Sequence, residues 1–270
     1  MNSRSSSPQS EDSQEVERYD GIDRYYIPVE NCDKAAKFFF WGSAFFSIVT
    51  LFTNNIWISI NHIPVILFVI FVSGNLIATL SLRFYLIPTA EQKRRKQLLS
   101  NAFNVSLTSE ETRHYYNNAF TDPLKRLGAN VMENSFFSKS ICLEMAKFER
   151  MRTGLYVLIW LIAVLYRSTD LELIGLITQT VFSLEVAGRL ISIEFLRSKN
   201  ETIYDTLYNE FFHKVDLSTP KGMASILDAF VTYETAKAIA GIMLSRKIFY
   251  RLNKSLSEEW EAVKEKLDFK

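Results

Sequence analysis

The sequence contains few of the residues that build catalytic and metal centres. Among 270 residues there are three histidines, two cysteines and nine glycines, and the histidines are isolated from one another. Cys32 and Cys142 lie far apart, so no disulfide framework or metal-ligand spacing is visible. The sequence has no H-E-x-x-H, C-x-x-C, P-loop, dinucleotide or nucleophile-elbow motif. We therefore expect no catalytic residues, no metal and no cofactor, and we expect that the protein is not an enzyme.

Charge is missing from one long stretch of the chain. Between Lys37 and Arg83, 45 consecutive residues contain no Asp, Glu, Lys or Arg. A helix needs about 20 apolar residues to cross the core of a bilayer, so this run is long enough for two spans. We place the two spans at about Phe38–Ile58 and Pro64–Phe84, with an asparagine-rich turn between them.

A second pair of apolar segments is shorter. Residues 153–166 and residues 173–184 form uncharged runs of 14 and 12 residues. Runs of this length are more typical of buried core helices than of spans. The polar turn between them, and the apolar residues that continue to position 191, favour two further spans. Two spans plus a soluble helical hairpin is the alternative.

The positions of the basic residues predict the orientation of the chain. Lysines and arginines flank the outer ends of both predicted hairpins, whereas the two turns contain only Arg167. By the positive-inside rule, both termini and the central segment are cytoplasmic. We predict an all-α, multi-pass inner-membrane protein with four transmembrane helices in two hairpins and a helical cytoplasmic body. The predicted parts are a polar cytoplasmic tail (1–35), hairpin 1 (36–88), a cytoplasmic helical segment (89–152), hairpin 2 (153–195) and a cytoplasmic helical C-terminal region (196–270).

The fourth predicted span carries an acid and a base one helical turn apart, Glu185 and Arg189. An ionisable residue inside a span costs about 2.5–3.5 kcal/mol on insertion scales, and pairing lowers that cost. Thr178 and Gln179 share the same helix face. One interpretation is a pore or gate element. The other is that Arg189 reaches the inner headgroup level and Glu185 neutralises it.

Two further polar stripes lie in the first hairpin. Their residues recur at helical spacing, so each stripe lines one face of its helix. Small and polar residues of this kind commonly hold membrane helices together, and a water-accessible interior is the alternative. The stripe residues are Ser43, Ser47, Thr50 and Asn54 in the first span, and Asn75 and Thr79 in the second.

The cytoplasmic parts contain a basic cluster and an amphipathic end. Lys93, Arg94, Arg95 and Lys96 follow the second span, where we expect them to contact anionic headgroups. A site for nucleotide phosphate is the sharper alternative. Near the C-terminus, apolar residues at positions 256, 260, 263 and 267 predict a helix that packs by that face. The net charge of +1 gives no reason to expect direct DNA binding.

This architecture resembles the small membrane effectors of bacterial anti-phage systems, of the cyclic-nucleotide (CBASS) and retron types. The segments that carry the resemblance are QKRRKQLLSNAF at 92–103, YYNN at 115–118, ENSFFSKSI at 133–141 and YETAKAIAGIML at 233–244. The resemblance implies an effector that stays silent until infection. The effector then disrupts the inner membrane and halts growth before phage mature.

The sequence thus leads to one function hypothesis and two alternatives. The hypothesis is a pore-forming effector in the lipid bilayer that acts as a homo-oligomer and causes abortive infection. Its trigger would be a nucleotide messenger or an inhibitory protein or RNA partner on the cytoplasmic side. The alternatives are a non-conducting membrane scaffold that recruits a cytoplasmic partner, and a small housekeeping channel.

Overall fold

The structure, a computed structural model, describes residues 19–53, 62–110, 112–113, 116, 118–166, 171–181 and 183–269. These residues are almost entirely helical, which confirms the all-α prediction; the strand pairing among them is one two-residue antiparallel ladder between Tyr19–Asp20 and Thr112–Arg113. The helices are α1 (Tyr26–Thr53), α2 (His62–Ser81), α3 (Ile87–Phe103), α4 (Pro123–Leu165), α5 (Leu171–Val181), α6 (Arg189–Phe212), α7 (Pro220–Ala240) and α8 (Arg246–Leu267).

Two helical runs in the described residues are long and apolar enough to cross a membrane, judged by length and composition. They are His62–Phe103 and Leu171–Phe212, the second of which passes residue 182, a position outside the described residues. These runs contain the second and fourth predicted spans. The first and third predicted spans, in α1 and at the end of α4, are not among them.

Helices α1 and α2 form a closely packed antiparallel hairpin. A Cβ atom on Gly42 would overlap the ring of Phe71, and one on Gly74 would lie 2.8 Å from the ring of Phe39. The two glycines therefore let aromatic rings of the opposite helix approach the backbone, as small residues do between membrane helices. The turn of this hairpin, residues 54–61, lies outside the described residues.

The first helix begins earlier than the sequence predicted. Residues up to 35 were expected to form a polar tail, but α1 starts at Tyr26 and the chain is already ordered from Tyr19. Val29 and Ala36 are buried against Ala78 and Ala90 of the α2–α3 run. The prediction was wrong because this polar segment extends α1 towards the N-terminus and packs Val29 into the core, although Ile27 stays exposed.

Helix α2 continues into α3 through a π-helical turn, Leu82–Leu86. Pro88 follows this turn, within the first two positions of α3. Proline has no N–H and its ring clashes with the carbonyl four residues earlier, so the local widening of the helix has a steric cause. The α2–α3 run thus connects the first hairpin directly to the remaining helices.

The helical body of the protein is built around α4, with α3, α6, α7 and α8 packed on it. Asp122 caps α4 by accepting a hydrogen bond from the Lys125 N–H, and Thr219 caps α7 in the same way through Gly222. The C-terminal prediction is confirmed, because the apolar stripe of α8 packs into the main core. That core contains Leu98, Leu127, Met132, Phe136, Ile203, Leu207, Ile226, Leu256, Trp260 and Leu267, with Val263 partly buried at its edge.

The end of α4 packs against α5, and the continuation into α6 is broken. Trp160 Nε1 donates to Thr178 Oγ1 at 2.7 Å, which joins α4 to α5. A continuous fourth helix up to residue 191 was expected. Instead, Ser183 has an extended backbone (ψ 161°) and caps a π-helical turn, Leu184–Gly188, that leads into α6. The prediction missed this break because it followed apolar content and overlooked the capping serine.

Candidate functional site

A cluster of ion pairs lies where α1, α4 and the start of α6 meet. Arg189 Nε donates to Glu149 Oε1 of α4 at 3.1 Å, and its guanidinium lies 3.5 Å from Asp33 Oδ1 of α1. Glu149 also pairs with Arg152 at 2.6 Å, and Asp33 with Lys37 at 2.5 Å. Glu149 is almost fully buried. Arg189 therefore links the start of α6 to both α1 and α4.

The structure gives Arg189 two ion-pair partners that the sequence did not predict. Among the described residues, Arg189 forms ion pairs with Glu149 and Asp33, and Glu185 interacts with it electrostatically. Glu185 lies inside the π-helical turn and Arg189 is the first residue of α6. The wider turn changes the spacing on which an i,i+4 contact depends. Glu185 is half-buried beside this cluster.

The polar residues of the predicted stripes mostly serve helix packing. Ser43 and Thr50 donate to carbonyls of their own helix, at Phe40 and Phe46. Asn75 Nδ2 donates to the Ala36 carbonyl at 2.9 Å and so ties α2 to α1. Ser47 is half-buried, whereas Thr79 and Gln179 are exposed. Thr178 accepts a hydrogen bond from Trp160. Asn54 lies outside the described residues. The structure does not bring these residues together on one surface.

The basic cluster on α3 is divided between two faces of the helix. Arg95 and Lys96 are exposed, as expected for residues that meet headgroups. Arg94 instead pairs with Asp20 at 2.8 Å, and Lys93 lies 5.2 Å from the ring of Tyr25. The headgroup prediction was wrong for Arg94, because its helix face is the one that packs on the protein.

The helical body contains a cavity of ≈ 530 Å³. Seven parts of the chain form its walls, together with the link at residues 242–245: the segment before α1, then α1, α3, α4, α6, α7 and α8. The volume lies within the range of about 300–1,000 Å³ that is usual for small-molecule sites. We call this space the cavity.

A buried ion-pair cluster lies at the wall of the cavity, to which Glu91 and Lys237 contribute. Lys237 of α7 contacts Glu91 of α3 and Glu234 of its own helix, each at 2.8 Å. The Tyr26 hydroxyl donates to the other oxygen of Glu91 at 3.0 Å. Helices α7 and α3 and the start of α1 therefore meet at a single carboxylate.

The pKa values of this cluster follow from burial and pairing. Burial raises the pKa of Tyr26 and Glu234, and the neighbouring carboxylate of Glu91 raises that of Tyr26 further. Burial opposes the charged forms of Glu91 and Lys237, but their mutual attraction prevails. It holds the pKa of Glu91 below its ordinary value and that of Lys237 well above. The Glu91–Lys237 pair is therefore charged at neutral pH.

A second set of ion pairs ties α8 to the N-terminal part of the chain. Arg246, the first residue of α8, lies 2.5 Å from Asp23 and 3.8 Å from Glu30 at the start of α1. With Lys237–Glu91, these contacts connect the two C-terminal helices to the helices that enter the first hairpin. The walls of the cavity are therefore tied to both α1 and α3.

Aromatic and amide side chains also line the cavity. The rings of Phe137 and Phe249 lie 6.5 Å apart. Asn200 is 1% exposed and donates to the Leu196 carbonyl, but its Oδ1 has no hydrogen-bond partner, and neither has the buried Oδ1 of Asn253. An unpaired buried acceptor costs about 1–3 kcal/mol, so these oxygens favour a ligand that donates hydrogen bonds.

Sequence reasoning missed the cavity residues, and a usable signal was present. Glu234 and Lys237 lie three residues apart within YETAKAIAGIML, on a helix whose inner face is otherwise apolar. Glu149 and Arg152 have the same spacing where α4 meets its apolar end. Charged residues on the buried face of an amphipathic helix point to a partner across the core. The identity of that partner depends on tertiary packing and could not be predicted.

The described residues hold no group of three His, Cys, Asp or Glu side chains that could bind a metal ion. The chain matches no protein-family model, no curated protein and no solved structure. A proposal for the function therefore depends on the geometry of the ion-pair cluster and of the cavity.

Proposed function

We propose that this chain is an inner-membrane effector of anti-phage defence that makes the bilayer leak after a ligand enters the cavity. The observation that carries the proposal is the set of contacts linking the cavity to both hairpins. Lys237–Glu91 joins α7 to the α2–α3 run, and Arg189 joins α6 to α1 and α4. A rearrangement of the cytoplasmic helices would therefore be transmitted to the membrane part.

Exposed apolar side chains support a membrane part with four spans. A contiguous apolar surface of this size is unusual on a soluble protein and marks a membrane or protein contact. Both termini are cytoplasmic in this proposal. The exposed residues include Phe38, Trp41 and Phe45 of α1, Ile66, Val69, Ile70, Leu76 and Ile77 of α2, and Leu155, Leu158, Ile159, Ile162 and Leu165 of α4.

In this proposal, the ion pairs of Arg189 stabilise the closed, non-leaking state of the protein. A buried charge that loses its partner is expensive, so Arg189 and Glu149 resist separation of the helices they join. Because the helices of the first hairpin touch directly, with Phe71 against Gly42, we propose that the leak forms between copies of the chain. The homo-oligomer would assemble when the ion pairs rearrange.

The cavity favours a small molecule over a protein or RNA as the trigger. Its volume suits a small ligand, and the Lys237–Glu91 pair in its wall is partly buried. Three of the segments on which the resemblance to anti-phage effectors rests contribute to its walls, through Arg94, Asn134 and Lys237 among others. The resemblance and the cavity thus point to the same part of the molecule.

Membrane potential in living cells tests this proposal. The wild type, Arg189→Gln and Arg150→Gln would be expressed in a bacterium at matched abundance and followed with a potential-sensitive dye. Arg150 is the control because its pair with Glu194 is half-exposed. We expect Arg189→Gln to depolarise cells without a trigger, and both other chains to do so only after phage infection in the presence of the native neighbouring genes.

A potential that stays unchanged in all three strains, infected or not, would overturn the leak. The second candidate would then be a non-conducting scaffold. The exposed apolar residues of α7, among them Leu227 and Val231, favour that role because they offer a helix face to a partner. Leu227→Asp should abolish the scaffold's effect on infected cells but leave the leak of an effector intact.

A further inference from the structure

The ion pairs of Arg189 involve two carboxylates that each have a second cation. The guanidinium of Arg189 pairs with Glu149 on α4 and with Asp33 on α1. Glu149 also pairs with Arg152, and Asp33 also pairs with Lys37. Arg189 can therefore move away without leaving either carboxylate unpaired, provided that Arg189 itself finds a new partner.

A third carboxylate lies within electrostatic reach of Arg189. Glu185 precedes Arg189 by four residues and is half-buried. Among the described residues Glu185 forms no ion pair, although Arg189, Lys37 and Arg152 attract it electrostatically. Side chains four residues apart on a helix are neighbours, so a short movement of Arg189 would bring the two together. Arg189 thus shares two carboxylates that are already paired, while a nearby carboxylate has no cation of its own.

The backbone of the turn that carries Glu185 contains two kinds of helical hydrogen bond. The Ser183 carbonyl accepts from the N–H of Ala187 at 3.0 Å and from the N–H of Gly188 at 3.3 Å. The first is the i→i+4 bond of an α-helix, and the second is the i→i+5 bond of a π-helix. No proline lies in this turn or directly after it, in contrast to the turn before Pro88. The turn can therefore tighten while the Ser183 carbonyl keeps a hydrogen bond.

We propose that Arg189 exchanges partners when the membrane part opens: it leaves Glu149 and Asp33 and pairs with Glu185. Each of the three carboxylates then has one cation, because Glu149 and Asp33 keep their second partners. The ion-pair links from α6 to α4 and to α1 are lost together, as in other switches that exchange ion pairs between packed elements. That the exchange opens the leak rests on the function proposed above. The exchange itself does not depend on that function.

Thermal unfolding of the purified full chain in detergent tests the exchange without any leak. Glu149→Gln weakens the present pairing of Arg189, so Arg189 should turn to Glu185 in that variant. In the Glu149→Gln background we expect Glu185→Gln to lower the Tm by about 2–4 °C, and in the wild type by less than about 1 °C. The control Glu201→Gln, on an exposed part of α6 where Glu201 pairs with Arg197, should act equally in both backgrounds. Equal effects of Glu185→Gln in both backgrounds would overturn the exchange.

A zinc-binding pair tests the geometry in a chain that keeps Glu149 and Asp33. Two histidines four residues apart bind Zn²⁺ when their rings meet on one helix face, and Zn²⁺ bound to the folded chain raises its Tm. We expect this rise in the variant Glu185→His/Arg189→His but not in Glu185→His alone. Ser198→His/Thr202→His, at the same spacing on exposed positions of α6, is the positive control. A rise in the control without one in the first variant would overturn the proposal, even if Glu149→Gln does not fold.

Membrane potential separates the exchange from the leak. Glu185→Gln removes the second partner of Arg189, so infected cells that express it should stay polarised, whereas Arg189→Gln should depolarise uninfected cells. If infected cells with Glu185→Gln depolarise like the wild type, the exchange does not open the leak and its regulatory role is overturned. If no strain depolarises, the leak is overturned, and the unfolding and zinc experiments still decide whether Arg189 exchanges its partners.

Discussion

The two helical hairpins are held together in different ways. In the first, α1 and α2 touch along their length, with Phe71 against Gly42 and Phe39 against Gly74. In the second, a Cβ atom on Gly154 or on Gly175 would meet no atom within 4 Å. Among the described residues of the second hairpin, Trp160 donates a hydrogen bond to Thr178 across the two helices, and Arg189 forms an ion pair with Glu149.

This difference assigns the two hairpins different mechanical roles. Close packing along two helices gives a unit that moves as a whole, because many small contacts must be lost together before it opens. A hairpin held at one end by buried charges can change in one step when those charges find other partners. The break at Ser183, directly before the charged cluster, lies where such a change would bend the chain.

The largest expected effect comes from removing the charge that holds the second hairpin. Glu149→Ala leaves Arg189 and Arg152 without their buried partner, so we expect a loss of about 3–5 kcal/mol in the free energy of unfolding. Glu194→Ala is the matched control on α6, where its partners Arg150 and Arg197 are more exposed, and should cost about 1 kcal/mol or less. Thermal unfolding in detergent measures both. Equal losses would show that the cluster is an ordinary surface feature.

Overpacking the first hairpin should have the next largest effect. Gly42→Ala places a Cβ atom where the ring of Phe71 lies, and we expect a cost of about 1–3 kcal/mol. The matched change Gly154→Ala meets open space and replaces glycine within a helix, so it should stabilise the chain by about 0.5–1 kcal/mol. Unfolding in the same detergent gives both values. A destabilising Gly154→Ala would contradict the contrast between the hairpins.

The comparison of the two hairpins also shows how much of the fold can be predicted from the sequence. The predominance of helix, the first hairpin and the amphipathic α8 follow from the charge gap and the apolar spacing. The break at Ser183 and the early start of α1 were missed, because apolar content alone does not mark where a helix is interrupted. The partners of Arg189 could not be predicted, since Asp33 and Glu149 lie far away in the chain and approach it only after folding.

A single hydrogen bond across the first hairpin should matter less than its packing. Asn75→Ala removes the bond to the Ala36 carbonyl, and we expect a loss of about 0.6–1.7 kcal/mol, as for other polar contacts between membrane helices. Thr79→Ala, one turn further along α2 and exposed, should change the free energy of unfolding by less than about 0.5 kcal/mol. If Thr79→Ala were the costlier change, the polar stripe would have a role other than holding these helices together.

The smallest effect compares the two free cysteines, one on α1 and one on α4. Cys142 of α4 is fully buried, and burial raises the pKa of its thiol to about 12, whereas Cys32 of α1 is partly exposed. Maleimide reacts with the thiolate, so at pH 8 it should label Cys32 and leave Cys142 unmodified until the chain unfolds. The thiol of Cys142 ionises near pH 9.0 in the unfolded chain but not in the folded one. Its contribution to stability therefore falls as the pH rises from 9.0 towards 12. Rapid labelling of Cys142 in the folded chain would mean that α4 separates from α6 and α7 more readily than their buried contacts indicate.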